Sequence, residues 1–258
     1  MVTEPTEALE RILAEEEYGA QLTVLTGPDA GAVAVLDAGG EVLAGSVPES
    51  IQEPLVADAL TLMDREMPLT VSYGEVDVFV EPLVPRPRLV IFGAVHIAQA
   101  LAQHASLLGY HVTVSDARSA FTTEERFPDV DHLAVGWPDQ VIDQIVLDRR
   151  TSIVVLSHDA RFENPLWPLI LESDVRYIGA MGSRRTAERR RERLLEAGFD
   201  ASAVDRIHGP IGLDIGAESP GEVAVAILAE MISEHRRPHE PLELKGEVRP
   251  LVPAHRAG

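Results

Sequence analysis

A strand–helix–strand pattern over residues 88–116 constrains the fold of this chain more than any other feature. A short apolar run stops at Gly93, and apolar residues then recur with helical spacing over 96–108. Gly109 follows where helices commonly end in glycine, and a second apolar run ends on Asp116, 23 residues after Gly93. This order predicts a Rossmann unit, in which the first turn faces a phosphate and the acid reaches a ribose hydroxyl.

The glycine pattern of that unit is incomplete. The dinucleotide fingerprint G-x-G-x-x-G/A requires a glycine at position 95, where this chain has Val95. A branched side chain at that position opposes the close approach of a pyrophosphate to the backbone. The pattern therefore predicts the fold of this unit more firmly than it predicts the ligand.

The chain divides into regions of different pattern. Residues 1–81 predict a small α+β domain of mainly antiparallel strands, and the proline-rich segment 82–88 is expected to be a linker. Over 89–237 strands alternate with helices, which is typical of a parallel sheet with helices on both faces. Residues 238–258 hold four prolines and are expected to form a tail. The strands of the Rossmann-like domain are predicted at 89–92, 111–115, 132–135, 152–157 and 175–179. The predicted class is thus α/β, with a Rossmann-like C-terminal domain and a small N-terminal α+β domain.

Composition limits the classes of partner. The formal charge of −20 argues against nucleic-acid binding, which relies on a basic surface. No apolar run approaches the roughly 18 residues of a membrane span, and the acidic N-terminus lacks the apolar core of a signal peptide. The sequence contains no cysteine, which excludes disulfides and thiolate metal sites. We therefore expect a cytoplasmic protein that binds neither nucleic acid nor membrane.

Polar residues follow several of the predicted strands. In a doubly wound sheet, ligands bind beyond the carboxyl ends of the strands. A helix that begins there also offers free N–H groups to an anion. The candidate ligand-binding residues at the first, second and fourth strand ends are Gly93, His96, Asp116, Ser157, His158 and Asp159. Arg118, two residues after Asp116, is an alternative phosphate-binding residue.

The fifth predicted strand leads into a second glycine-bearing turn. Gly179 and Gly182 precede Ser183, which is expected to cap a helix, and Arg184 and Arg185 stand at the start of that helix. These residues predict a second anion-binding site.

Two further segments complete the candidate set. The arginines within 189–193 are expected to form a solvated helix face paired with neighbouring glutamates. The loop 208–220 is rich in glycine, and Gly212 and Asp214 are candidates to meet a ligand there. A last helix is predicted over 220–236. So many polar groups at strand ends suit a large, multiply charged ligand better than a small neutral one. We find no pattern of metal-ligating residues.

Two long strings in this domain carry a family resemblance. YIGAMGSRRT (177–186) and HGPIGLDIGAESPGEVAVAILAEM (208–231) resemble the C-terminal domain of the XdhC/CoxI family, and residues 90–98 and 157–159 extend the match. Members of that family are accessory factors that look after the molybdenum cofactor for xanthine dehydrogenase and related hydroxylases. The resemblance implies a Rossmann domain that binds the molybdenum cofactor or a nucleotide and delivers the sulfurated cofactor to a target enzyme.

The chain departs from the family pattern in two places. The family usually reads G-x-G-H-V at the first turn, where this chain has GAVHI over 93–97. The family also carries a GGC-V/I-E segment in its N-terminal domain, and the corresponding GSV at 45–47 has no cysteine. The resemblance therefore identifies a divergent member that lacks the N-terminal cysteine motif.

The leading hypothesis is an accessory factor for a molybdenum hydroxylase that binds the molybdenum cofactor and aids its delivery or maturation. It assigns no catalytic residue and favours a cofactor-binding protein over an enzyme. The expected partner is a molybdenum hydroxylase such as xanthine dehydrogenase, with a cysteine desulfurase and a second copy of the chain as further candidates. One alternative is an NAD(P)-dependent oxidoreductase with Asp116 on the ribose and His158 as acid/base. Another is a non-catalytic adaptor with a relict Rossmann fold.

Overall fold

The structure is a computed structural model that describes residues 4–157, 159–236 and 241–249. These residues form two compact units. The first contains residues up to 85 together with the segment 241–249, and the second contains residues 86–236. Each unit is built on a six-stranded sheet. The predicted fold class is confirmed, because one sheet is wholly antiparallel and the other wholly parallel.

The described strands and helices are numbered in chain order. The strands are β1 Gly19–Val24, β2 Val33–Asp37, β3 Val42–Gly45, β4 Leu69–Tyr73, β5 Val76–Leu83, β6 Arg88–Phe92, β7 His111–Asp116, β8 His132–Val135, β9 Thr151–Val155, β10 Tyr177–Ala180, β11 Ile207–His208 and β12 Glu247–Arg249. The α-helices are α1 Pro5–Ala14, α2 Gln52–Asp64, α3 His96–Leu107, α4 Pro138–Val141, α5 Ala160–Glu163, α6 Leu166–Leu171, α7 Arg184–Glu196, α8 Ala201–Val204 and α9 Pro220–Arg236. Short 3-10 helices cover Glu49–Ile51 and Ile142–Gln144.

The first unit is an antiparallel sheet with a helix on each face. Its strand order is β12-β4-β5-β1-β2-β3. Because side chains alternate between the faces of a strand, Ala34 and Leu36 of β2 pack with Leu55 of α2. Val35, which lies between them, packs on the opposite face with Ile12 of α1.

A buried carboxylate attaches the returning segment to this unit. Asp58 of α2 is 1% exposed. It accepts hydrogen bonds from the backbone N–H groups of Lys245 and Gly246, at 2.6 and 2.8 Å, and from the Tyr73 hydroxyl at 2.7 Å. Residues 247–249 then pair with β4 as the edge strand β12.

The second unit has the strand order of a dinucleotide-binding fold. The order β11-β10-β9-β6-β7-β8 corresponds to 3-2-1-4-5-6 when related folds are counted from the same edge. Leu89 and Ile91 of β6 face the core formed with α3 and α9. Val90 and Phe92 face the core formed with α6 on the other side. The order reverses between β6 and β9, and ligands bind at such a switch point.

The five predicted parallel strands are present with ends shifted by at most two residues. β11 and β12 were not predicted. The boundary between the units also differs from the pattern in the sequence, because β5 continues to Leu83. Only residues 84–87 lie between β5 and β6. No helix among the described residues is long and apolar enough to span a membrane.

The prediction that the α7 arginines form a solvated face is wrong for Arg190. Its side chain is 4% exposed and pairs with the similarly buried Glu163 of α5, Nε to Oε2 at 3.2 Å. The guanidinium also lies 5.4 Å from the centre of the Trp167 ring and donates to the Met181 carbonyl. The partner comes from a distant helix, so the spacing of charges along α7 could not reveal it.

Candidate functional site

A cavity of about 450 Å³ opens at the switch point of the parallel sheet. It lies beyond the carboxyl ends of β6, β7 and β9, where the fold places ligands. Backbone turns, charged side chains and aromatic rings all contribute to its wall. The residues that line it are Gly93, Val95, Asp116, Ala117, Arg118, Trp137, Leu156, Ser157, Asp159, Arg161 and Phe162.

The first turn uses its own backbone donors. Gly93 has φ of +112°, a conformation that favours glycine, and its N–H donates to the Ser115 carbonyl at 2.7 Å. The N–H of Ala94 donates to Asp116 Oδ2, and that of Val95 donates to the Gly93 carbonyl, both at 2.9 Å. The amides that would cradle a pyrophosphate in a dinucleotide site therefore already have acceptors.

Asp116 is held by its neighbours and presents little surface to a ligand. Its side chain is 5% exposed. It accepts hydrogen bonds from the backbone N–H, Nε and Nη2 of Arg118 at 3.0, 2.9 and 2.7 Å. Burial raises the pKa of Asp116, but the bonds from Arg118 and Ala94 outweigh burial and hold it below its ordinary value. The carboxylate thus orients Arg118 and fastens the first turn.

The end of β9 repeats this arrangement on the opposite side of the switch point. Asp159 accepts from the backbone N–H, Nε and Nη2 of Arg161 at 2.9, 3.1 and 2.7 Å. Hydrogen bonds from Arg161 lower the pKa of Asp159. Ser157 Oγ accepts from the Asp159 N–H at 3.1 Å. The predicted residue His158 lies outside the described residues.

Aromatic rings form a further part of the cavity wall. Trp137 follows β8, and its ring centre lies 5.9 Å from that of Phe162. Phe162 also packs edge-on against Phe92, with 6.3 Å between the ring centres. Trp137, Arg161 and Phe162 were not predicted from the sequence. The repeated tripeptide Asp-Ala-Arg, at 116–118 and 159–161, is a signal that could have identified Arg161.

The second glycine turn starts a helix as predicted. Ser183 caps α7, since its Oγ accepts from the Thr186 N–H at 3.2 Å. A Cβ on Gly179 would lie 2.4 Å from Ile211 and 2.6 Å from the Tyr177 hydroxyl, so close packing requires that glycine. Gly182 has φ of +147°.

The arginines that follow Ser183 are exposed. Arg184 reaches Asp214 at 3.8 Å, with both side chains almost fully in solvent. Arg185 has no side-chain partner within the described part of the chain. Both cations are therefore available to an external anion.

The glycine-rich loop is fastened by a cluster that the sequence patterns did not predict. Glu230 of α9 accepts from the Tyr177 hydroxyl and, at 2.9 Å, from the Gly212 N–H. His208 stacks on Tyr177 with 4.7 Å between ring centres, and its Nδ1 lies 3.8 Å from Glu230. Burial, followed by the Glu230 carboxylate, raises the pKa of Tyr177 well above its ordinary value. Gly212 and Asp214 line a separate cavity of about 350 Å³ beside this loop.

The predicted residues are thus distributed over distinct surfaces of the second unit. His96 is exposed at the start of α3. The residues brought together in the main cavity are Gly93, Asp116, Ser157 and Asp159. Those in the smaller cavity are Arg184, Gly212 and Asp214. Within the described ranges, no group of three or more His, Asp or Glu residues is arranged to hold a metal ion.

Comparison with known proteins finds relatives of the second unit. A Bacillus subtilis protein named as one of the probable xanthine dehydrogenase subunits is 32% identical over 161 residues, covering 62% of this chain and 47% of that protein. "Molybdenum cofactor insertion chaperone PaoD" of Escherichia coli is 28% identical over 149 residues, covering 58% of this chain and 40% of that protein. The chain thus spans less than half the length of these curated relatives.

The fold as a whole also has a counterpart. A crystal structure described as a xanthine dehydrogenase from Bacillus halodurans matches with a TM-score of 0.54 at 19% identity, covering 91% of this chain and 96% of that one. The family model described as the XdhC Rossmann domain matches residues 89–231, which is more than half of the chain. The chain therefore belongs to the XdhC family.

Proposed function

We propose that this protein is an accessory factor for the maturation of a molybdenum hydroxylase, and that it binds the molybdenum cofactor as cargo. Membership of the XdhC family supports a maturation role. The name of the Escherichia coli relative, a molybdenum cofactor insertion chaperone, supports the choice of cargo. The name of the Bacillus subtilis relative supports xanthine dehydrogenase as the type of target.

The main cavity is the observation that carries this proposal. It combines two guanidinium groups, Arg118 and Arg161, with the ring of Trp137 at a switch point that is open to solvent. The cofactor has complementary parts, a planar pterin ring and a phosphate. Since the sequence contains no cysteine, we assign the contacts of this chain to the organic part of the cargo. The residues of this chain would then bind and orient the cargo for transfer.

The other predicted residues take supporting roles in this proposal. Gly93, Ser157 and Asp159 shape the cavity, and Asp116 orients Arg118. His96 and His158 stay candidate donors. Arg184 and Arg185 offer cations at the start of α7, where a second anionic group or the acidic surface of a target enzyme would be received.

The test is the molybdopterin content of the protein purified from a host that makes the cofactor. We expect bound molybdopterin in the wild type and a clear loss in the double variant Arg118→Gln plus Arg161→Gln, which removes both cations of the main cavity. Arg184→Gln plus Arg185→Gln should keep the cargo if those arginines receive the target enzyme, and lose it if they hold a second anionic group. Arg189→Gln, an exposed change on α7, is the control for altered net charge. A wild-type protein that carries no molybdopterin would contradict the proposed cargo.

An NAD(P)-dependent oxidoreductase is the second candidate, because the strand order is that of dinucleotide-binding domains. Two contacts argue against it. The first-turn amides already have acceptors, and Asp116 is bonded to Arg118. Titration with NAD(H) and NADP(H) separates the candidates, since saturable binding at micromolar concentration would favour this one. Capture of a target hydroxylase without any bound cofactor would favour the adaptor instead.

A further inference from the structure

The two Asp-Ala-Arg turns of the main cavity have the same geometry. In each, the aspartate accepts from the backbone N–H of the arginine two residues later, and its two carboxylate oxygens accept from Nε and Nη2. The corresponding distances in the two turns differ by at most 0.2 Å. One turn follows β7 and the other follows β9, on either side of β6. The sheet therefore brings two guanidinium groups, each held in the same way, to one cavity.

Each guanidinium keeps one edge available. A guanidinium has five N–H donors in a fixed plane, and the aspartate uses only those on Nε and one on Nη2. Among the described residues, no acceptor contacts Nη1 of Arg118 or of Arg161. The Arg118 and Arg161 side chains are 56% and 81% exposed. Each arginine is thus held by its own carboxylate and presents its outer edge to an external anion.

The remaining wall favours a flat, apolar group next to that anion. Trp137 is 38% exposed, although large aromatic side chains are usually more buried. It lines the cavity with Phe162 and Leu156. Planar rings stack favourably on an indole. The cavity therefore joins a stacking surface to a pair of anion-binding edges.

We infer that the main cavity binds a planar heteroaromatic compound that carries a phosphate monoester. The ring lies against Trp137, and the phosphate accepts hydrogen bonds from Arg118 and Arg161. This inference rests on the proposed function to the extent that the pterin half of the cargo belongs to this class. A monoester fits better than a pyrophosphate, because the amides of Gly93, Ala94 and Val95 already have acceptors.

Flavin mononucleotide and riboflavin are the probes for this test. Both contain a fused pteridine ring, and only the first carries a phosphate. We expect the wild-type protein to bind flavin mononucleotide about tenfold or more tightly than riboflavin, which corresponds to about one charge-assisted hydrogen-bond pair. Flavin fluorescence measures both dissociation constants on the full chain.

Two variants separate the parts of the site. Arg118→Gln plus Arg161→Gln is expected to abolish the preference for the phosphorylated flavin and to leave riboflavin binding unchanged. Trp137→Leu is expected to weaken both flavins by a similar factor and so to keep the preference. Circular dichroism and thermal unfolding confirm that each variant is folded.

Several results would overturn the inference. They are equal binding of the two flavins, absence of binding by both, and a preference that survives in the double arginine variant. Tighter binding of NADP(H) than of flavin mononucleotide would assign the cavity to a dinucleotide and would also overturn it. The molybdopterin measurement is independent. A flavin preference without co-purified molybdopterin would sustain this site and reject the proposed cargo.

Discussion

Gly93 shows how much a single residue constrains the first turn of the Rossmann unit. Its φ is +112°, and an added Cβ would lie 3.2 Å from the Ser157 nitrogen and 3.3 Å from the Leu156 carbonyl carbon. The residue therefore has to be small because the chain that leaves β9 passes close behind it. The same glycine is the first of the pattern from which the fold was predicted.

Replacing Gly93 by alanine should be more destabilising than the same change at Gly109. A left-handed backbone costs an L residue roughly 1–2 kcal/mol, and both glycines have positive φ. At Gly109 the added Cβ meets nothing within 4 Å. We therefore expect the free energy of unfolding to fall by about 1 kcal/mol in Gly109→Ala and by about 2–3 kcal/mol in Gly93→Ala. Urea unfolding measures both, and equal losses would show that contact with the chain after β9 costs nothing.

The buried ion pair of α7 allows a second comparison within one helix. Removing one partner of a buried pair costs about 3–5 kcal/mol, whereas an exposed pair contributes about 0–1 kcal/mol. Glu163→Ala should therefore lower the free energy of unfolding by about 3–5 kcal/mol, because it leaves Arg190 buried without its carboxylate. Asp205→Ala is the control, since it removes the exposed partner of Arg191, 3.0 Å away. Comparable losses in thermal unfolding would contradict the importance of burial.

At the scale of elements, the glycine-rich loop is held to α9 by Glu230. The Glu230 carboxylate raises the pKa of His208 above its ordinary value of 6.5, against the opposing effect of burial, and Glu234 adds to the rise. Burial raises the pKa of Glu230, but contacts from His208, Tyr177 and Gly212 outweigh burial and lower it. The charged pair is therefore favoured in the folded protein between the two ordinary pKa values.

This pair predicts a pH dependence of stability with a definite sign. A histidine whose pKa is raised by folding contributes its full stabilisation below the ordinary value of 6.5, and loses it as the pH rises through the folded pKa. The free energy of unfolding should thus fall between about pH 6 and pH 8, and His208→Gln should flatten that part of the curve. The measurement is urea unfolding at a series of pH values. Parallel curves for the variant and the wild type would exclude His208 as the source.

The elements that the sequence predicted are those with a long repeating pattern. The parallel strands are continuous apolar runs, and α3 and α9 have helical spacing, so local residues determine them. β11 and β12 contain two and three residues, which is too short for any period to appear. The candidate site was predicted in part for a related reason. Strand ends identified Asp116 and Asp159, but the contribution of Trp137 depends on β8 lying beside β7 in space.

At the scale of the whole molecule, the first unit is completed by residues from the far end of the described chain. Asp58 joins α2 to the backbone of Lys245 and Gly246, and β12 then pairs with β4. Residues 86–236, which form the second unit, lie between these two parts of the first unit in sequence. The attachment therefore relies on the short β12 pairing and a few hydrogen bonds to one buried carboxylate.

Asp58→Ala should detach this segment and destabilise the first unit. Each donor left unpaired in a buried place costs about 1–3 kcal/mol, so we expect a loss of about 2–4 kcal/mol, with part of the donors regaining water. Hydrogen exchange should accelerate at the amides of Lys245 and Gly246. Tyr73→Phe is the milder control because it removes only one of the three bonds. Unchanged exchange at both amides in Asp58→Ala would contradict this account.

The position of β12 has a consequence for synthesis on the ribosome. All strands of the second unit precede residue 247 in the chain, whereas the antiparallel sheet waits for β12. During translation, β4 is therefore an unpaired outer strand for as long as the intervening residues are being added. Such open strands invite pairing with other nascent chains. We expect the later-encoded unit to reach its native form first, and the earlier-encoded one to be the part that most needs protection as it emerges.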